Sequence, residues 1–188
     1  NILLNISRIE SGRLIIDPHP VELGDMIKSV REEVDPLIKK NYISMSFEIP
    51  RSLPKIRTDE KILHHIIINL ITNSIKYSRA NGSITVVLSQ KEGDILTSVR
   101  DTGVGIPKEE QGKVFQKFFR GKNVTKMETD GTGLGLYLVK FLIEALGGKI
   151  WFESEENRGP TFFFTLPVEG SKSRRGEVAL ALYTNLGK

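Results

Sequence analysis

The stretch Asn69-Leu70-Ile71-Thr72-Asn73-Ser74-Ile75-Lys76-Tyr77-Ser78 decides how the rest of the chain is read. It closes a run that begins at Asp59. Ile62, Leu63, Ile66, Ile67, Leu70, Ile71 and Ile75 recur there at helical spacings, which predicts one helix with a broad apolar face. Asn69, Asn73, Lys76 and Tyr77 stack on another face of the same helix. Two amides, an ammonium and a phenol in line are unusual on a helix with so much apolar surface, because a half-buried amide needs partners. A solvated polar stripe would give the same pattern, so this helix alone does not choose between a surface and a site.

Working outward, the chain carries two glycine-rich loops. Asp101-Thr102-Gly103-Val104-Gly105-Ile106-Pro107 follows two alternating runs, 83–90 and 94–100, which read as a hairpin turned at Lys91-Glu92-Gly93. Gly131-Thr132-Gly133-Leu134-Gly135-Leu136 opens an apolar helix that reaches about Leu146 and stops at Gly147-Gly148. Glycines let backbone amides approach an anion without a clashing Cβ, and a helix start adds free donors. A tight turn and a helix start are the plainer reading of each loop. Neither loop is a Gly-Lys-Ser/Thr phosphate loop, and Lys108 stands where a dinucleotide fingerprint needs its third glycine.

Around these lie further elements. Residues 1–12 read as the end of a helix, and the lack of a cap at residue 1 points to a chain that continues upstream. Residues 14–16 read as a short strand, closed by Asp17-Pro18-His19-Pro20. Residues 21–40 read as a helix with Leu23, Ile27, Val30, Val34, Leu37 and Ile38 inward, kinked or ended by Pro36. Residues 43–49 alternate as a strand, Thr58 or Asp59 caps the central helix, and Pro107 suits the first position of a short helix. Residues 114–120 are an aromatic turn, 121–130 a polar segment without periodicity, and 149–154 and 161–166 a final strand pair. The expected fold is an α/β, or α+β, two-layer sandwich whose mixed sheet is backed by helices on one face. Lys172-Ser173-Arg174-Arg175 reads as a linker and the remainder of the tail has no readable role.

Composition narrows the function. The 188 residues are 39% hydrophobic and 27% charged, as in an ordinary globular protein, with room for one domain and an appendage. There are no cysteines, which removes disulfides and thiolate metal sites and fits a reducing compartment. The longest apolar run is short of a membrane span. A net charge of +4 with dispersed basic residues gives no case for nucleic-acid binding.

The four stretches together, in this order, resemble the ATP-binding catalytic domain of sensor histidine kinases, within the GHKL superfamily of Bergerat-fold ATPases. Asn69 to Ser78 is similar to that family's N box, 101–107 to its first glycine box, 114–120 to its F box and 131–136 to its second glycine box. Residues 4–12 resemble the end of the second dimerisation helix. The resemblance implies a division into 1–13 (truncated dimerisation helix), 14–167 (catalytic domain) and 168–188 (tail). It implies ATP and Mg²⁺ as cofactors, with Asn73 on the metal through its amide oxygen. Asn69 would help hold metal and phosphates, Lys76 would face the phosphates and Tyr77 would line the nucleotide pocket. Asp101 would accept a hydrogen bond from the adenine amino group, with Gly103, Gly105 and Ile106 beneath the base. Arg120 would stabilise charge on the γ-phosphate. Gly131, Thr132, Gly133, Leu134, Gly135 and Leu136 would cradle the phosphates, and 121–130 would form a lid anchored by Phe115 and Phe118.

Three departures from the family pattern stand out. Ser74 replaces alanine. Pro160 replaces the second glycine of a Gly-x-Gly, altering that turn and not the site. No histidine is followed by an acid, so the phosphoacceptor is expected on another segment. His19 reads as a surface-loop residue, and His64 and His65 as structural or solvent-facing, His65 being one turn before Asn69. The implied partners are the dimerisation and phosphoacceptor domain of the same protein and a response-regulator receiver domain. The fragment itself would be monomeric and the intact protein homodimeric. The implied location is cytoplasmic, whether or not the parent is anchored in the cell membrane. Hydrolytic relatives use a glutamate where Asn69 stands, and an amide is no general base, so phosphotransfer is expected over hydrolysis. The alternative is a degenerate nucleotide-binding or partner-docking module.

Overall fold

The computed structural model describes residues 14–127 and 131–170. The expectations for 1–13, and for the tail beyond Gly170, lie outside the described residues.

The central helix, α2 (Glu60–Tyr77), starts as expected at Asp59. Its Oδ1 accepts from the backbone amides of Lys61 and Ile62, at 3.1 Å each, satisfying two of the donors a helix start leaves open. Its other oxygen accepts from the Asp17 amide at 3.0 Å, so one side chain also pins the incoming chain. Leu63, Ile66, Ile67, Leu70, Ile71 and Ile75 are buried, as their spacing predicts.

Helix α1 (Leu23–Lys40) buries Leu23, Met26, Ile27, Val30 and Val34. Of the two outcomes expected at Pro36, an end to the helix does not occur, and one residue expected inward is not. The helix runs through Pro36, which sits on its exposed side, where the carbonyl it leaves unpaired can take water. Leu37, expected inward, is 41% exposed beside the pocket described below.

The five-stranded sheet has the order β2-β4-β5-β7-β6, with β2 (Ser44–Glu48), β4 (Ser83–Lys91), β5 (Asp94–Asp101), β6 (Lys149–Glu155) and β7 (Gly159–Pro167). β2 and β4 are parallel and the other neighbours antiparallel, which is the mixed sheet expected. Glu92 and Gly93 both take positive φ, the geometry a tight hairpin requires. One face of the sheet, including Ile84, Val86, Leu88, Ile95, Val99, Phe162, Phe164 and Leu166, is buried in the core with the helices. The other face carries a stacked Trp151–Phe163 pair, 5.5 Å apart.

The short strand expected at 14–16 lies instead at β1 (His19–Val21), paired antiparallel with β3 (Ile56–Thr58), which sequence reading missed. His19 is therefore a strand residue, though exposed and 3.6 Å from Glu60. Val168 accepts from the Arg57 amide at 2.8 Å and packs on the core, so the ordered body runs past β7.

The polar segment after the F box contains a short helix, α3 (Lys122–Met127), where no periodicity predicted one. Helix α4 (Gly135–Ala145) is buried along most of its length. It ends as expected at Gly147-Gly148, whose amides close on the carbonyls of Glu144 and Ile143. No described helix is long and apolar enough to cross a membrane.

Candidate functional site

A cleft of about 840 Å³ opens between the C-terminal half of α2, the end of β5, the two glycine loops and the start of α3. That is within the range of small-molecule and cofactor sites. Asn69, Asn73, Lys76 and Tyr77 all line it, so the polar stripe faces a cavity rather than open solvent. Asp101, Gly105, Ile106, Arg120, Gly131, Thr132, Gly133, Gly135 and Leu136 line it too. Of the residues singled out by sequence, Gly103 and Leu134 are absent from the lining. Gly103 lies buried behind Asp101, and Leu134 is in the hydrophobic core.

Asp101 is 2% exposed and ends the central strand β5. Its Oδ1 accepts from the Gly103 amide at 2.9 Å. Burial pushes its carboxyl up to about 6, against the opposing pull of Ser74 and the Gly103 amide. The turn after it must be glycine. A Cβ on Gly103 would lie 2.4 Å from the Tyr77 carbonyl oxygen, which is how the loop and the end of α2 come together. Gly105, at φ +68°, backs onto the Glu155 carbonyl.

The second glycine loop meets the amides of α2. A Cβ on Gly135 would lie 3.0 Å from Asn69 Oδ1 and 3.8 Å from Asn73 Nδ2. Thr132 Oγ1 accepts from the Leu134 amide at 3.4 Å, and no side chain caps the start of α4. Its first amides are therefore donors aimed at the cleft's end. Arg120 Nη1 donates to the Gly131 carbonyl at 3.3 Å, tying the F box to this loop.

Behind Asn69 stands His65. The Asn69 amide nitrogen lies 3.2 Å from His65 Nε2 and donates to the His65 carbonyl at 3.4 Å. Partial burial lowers the His65 pKa, which keeps the ring neutral and able to accept. His64 is 3.2 Å from Glu33, and the role of His65 is structural, since it backs Asn69 and does not line the cleft.

The lid's base differs from expectation. Phe115 is an anchor, edge-on to Phe152 at 5.8 Å and Phe162 at 6.4 Å. Phe118 is not. Its φ of +61° turns it outward, 69% exposed, while Phe119 lines the cleft. Gly133 explains this, since its Cβ would fall 2.6 Å from the Phe118 carbonyl carbon.

Sequence reasoning also missed two lid contacts. Both Glu110 carboxylate oxygens accept from the Lys122 amide, at 3.2 and 3.3 Å. Asn123 Nδ2 donates to the Gly105 carbonyl at 3.0 Å, joining α3 to the first glycine loop. No sequence signal marked either. Pro160, expected to leave the site alone, lines the cleft, and it is Gly159, at φ +78°, that packs against the Asp101 carbonyl.

Residues 58–170 match the family described as histidine kinase-, DNA gyrase B-, and HSP90-like ATPase. The adaptive-response sensory kinase SasA of Synechocystis sp. is 35% identical over 167 residues, covering 88% of this chain and 43% of that protein. The chain thus spans less than half the length of that relative. The solved catalytic domain of the histidine kinase ThkA is 31% identical, with a TM-score of 0.71 over 81% of this chain and 97% of that one. ThkA has also been solved in complex with the response regulator TrrA, with 26% identity, a TM-score of 0.68 and coverage of 89% and 46%. Full-length ShkA in complex with AMPPNP has a TM-score of 0.79 at 27% identity, covering 92% of this chain and 36% of that chain.

Proposed function

The chain belongs to the histidine kinase-, DNA gyrase B-, and HSP90-like ATPase family, as the catalytic ATP-binding domain of a sensor histidine kinase, and from that premise we propose how its cleft works. The cleft binds Mg-ATP with the adenine at Asp101 and the phosphates among Asn69, Asn73, Lys76, Arg120 and the amides of 131–136. The domain then presents the γ-phosphate to a histidine on a dimerisation domain outside the described residues, and a response-regulator aspartate receives the phosphoryl group. The observation that carries this is convergence. Asp101, the α2 polar face, both glycine loops and Arg120 share one cavity.

Each role follows from chemistry on the page. An ionised carboxylate only accepts hydrogen bonds, so Asp101 suits the amino group of adenine and repels the carbonyl that guanine carries there. The side-chain oxygens of Asn69 and Asn73 and the open amides at the start of α4 suit a metal–phosphate assembly. Among the described residues no cluster of three or more acidic, His or Cys side chains could hold a metal by itself. Magnesium does not need one, since it is commonly held by one or two protein oxygens with phosphates and water, and Asn73 would supply such an oxygen. Bound there, the ion would neutralise charge on the phosphates.

Among the described residues, two carboxylates line the cleft, Asp101 and Glu110. Asp101 is engaged by the Gly103 amide, and Glu110 by the lid amide of Lys122. Both are thus engaged, and the amide of Asn69 is no general base, which supports phosphotransfer over hydrolysis. The domain's contribution is then positioning and electrostatics. The associated reading of organisation has three parts. Residues 1–13 end a dimerisation helix, 14–167 form the catalytic domain, and the intact protein is a homodimer.

The test is reconstitution. The chain is mixed with γ-labelled ATP, Mg²⁺ and the parent's helical hairpin bearing its histidine. Acid-labile label on the hairpin, lost when Asn73 is changed to Asp, is the expected result. Steady-state ATP hydrolysis by the chain alone, with an unlabelled hairpin, would overturn the phosphotransfer reading.

A further inference from the structure

Which end of the Asn69 amide faces the cleft is decided by its own helix. Its Nδ2 lies 3.2 Å from His65 Nε2 and donates to the His65 carbonyl at 3.4 Å. An amide nitrogen carries two protons, and here both have an acceptor one turn back. The oxygen therefore faces the other way. A Cβ on Gly135, the first residue of α4, would lie 3.0 Å from Asn69 Oδ1, and both residues line the cleft.

Of the two acceptors, the ring is the one that selects this orientation. The carbonyl contact is long for an N–H···O bond, and a carbonyl inside a helix already serves the residue four positions on. The ring has no such duty. In a neutral imidazole with its proton on Nδ1, Nε2 carries a lone pair and can only accept. Its sequence neighbour does something else, since His64 turns to Glu33 on α1 at 3.2 Å. Without the ring, rotation of the Asn69 amide by half a turn would put its NH₂ group where the oxygen now stands.

We propose that His65 is a positioning residue for the metal end of the cleft, accepting from Asn69 Nδ2 so that Oδ1 is presented as an oxygen donor toward a divalent cation or a water bound to one. This rests on the reading of the cleft as a Mg-nucleotide site, and it sharpens the part of Asn69 within it. A hard divalent cation takes oxygen and is repelled by an amide NH₂. A phosphate wants donors, which Lys76, Arg120 and the open amides of α4 supply. Asn69, turned oxygen outward, belongs on the metal side. His65 does not line the cleft, so it acts through Asn69 and touches no ligand itself. A hydrogen bond from behind is a common way to orient a side chain that faces a metal.

The test titrates AMPPNP calorimetrically, in Mg²⁺ and in EDTA, into the wild-type chain, His65→Gln, His65→Leu, His65→Ala and Asn69→Ala. The quantity read is the gain in affinity that Mg²⁺ brings. His65→Leu and His65→Ala, which both lack an acceptor, should lose about 10-fold of that gain, with affinity in EDTA unchanged. His65→Gln, whose side-chain oxygen can accept in place of Nε2, should keep it. A full gain in the leucine or alanine variant overturns the proposal. So does a loss that is equal with and without Mg²⁺, or one that glutamine fails to rescue, since either makes His65 a packing residue. If Asn69→Ala keeps the full gain, or the wild-type chain shows none, the reading of the metal end itself has failed and this proposal falls with it.

Discussion

The two walls of the cleft are built on different principles. One is regular structure: α2, capped by Asp59 and buried along Leu63 to Ile75, and β5, ending at Asp101 in the middle of the sheet. There the site is a matter of side chains, projected at helical or strand spacing from a backbone that the core holds in place. The other wall, residues 102–127 and 131–134, has among the described residues only a short 3₁₀ helix at Lys108–Lys113 and α3. There the site is a matter of backbone, shaped by positive φ at Gly105, Phe118 and Gly133 and tied by Glu110, Asn123 and Arg120. The first wall fixes what can be recognised, and the second is held by a few backbone and side-chain ties. Catalytic domains that must take up and release nucleotide profit from keeping the two apart.

That contrast can be broken experimentally, and the largest effect is expected where the walls meet. At Gly159 a Cβ would lie 2.0 Å from the Asp101 carbonyl oxygen, and its φ of +78° disfavours any other residue. Gly159→Ala should cost about 3–5 kcal/mol of stability, read from the urea midpoint, because both strain and a backbone clash must be relieved.

Asp101→Asn should move stability and binding in opposite directions. Its carboxyl is raised from 3.8 to about 6, so the buried charge destabilises the ligand-free fold as pH rises through that range. Near pH 7 the neutral amide, still able to accept from Gly103, should stabilise the free protein by up to about 3 kcal/mol. The gain should vanish below about pH 4. Adenine-nucleotide affinity should fall by about 10- to 100-fold. Thermal melts and titrations on the same samples check both halves.

Asp59→Ala removes the cap of α2 and the tie to Asp17, and should cost about 1–2 kcal/mol while leaving the affinity of the folded protein unchanged. Asn123→Ala should do the reverse. Stability should stay within about 0.5 kcal/mol, because the contact is on the lid, while AMPPNP should dissociate a few-fold faster in stopped flow. If Asn123→Ala melted the domain, or Asp59→Ala abolished binding in the folded protein, the two walls would not be separable.

The same division explains what the sequence disclosed. Helix α2, the hairpin and the buried sheet face announce themselves through periodicity, which packing then enforces. The glycine loops were legible as backbone devices, and their order in the chain carried the family resemblance. What escaped was set by tertiary contact. The β1–β3 pair is two three-residue strands, one containing Pro20, too short to show alternation. The outward turn of Phe118 is imposed by Gly133, fifteen residues away, and α3 is started by Glu110 from another element. Pro36 breaks helices in general, but at this exposed position the lost hydrogen bond falls to solvent.

The most direct test of the account is a calorimetric titration of the wild-type chain at pH 7.5 with AMPPNP, with and without Mg²⁺, and with the corresponding guanine nucleotide in parallel. The account predicts adenine-selective binding that Mg²⁺ strengthens. Equal affinity for the two bases, or no binding to either, would contradict it.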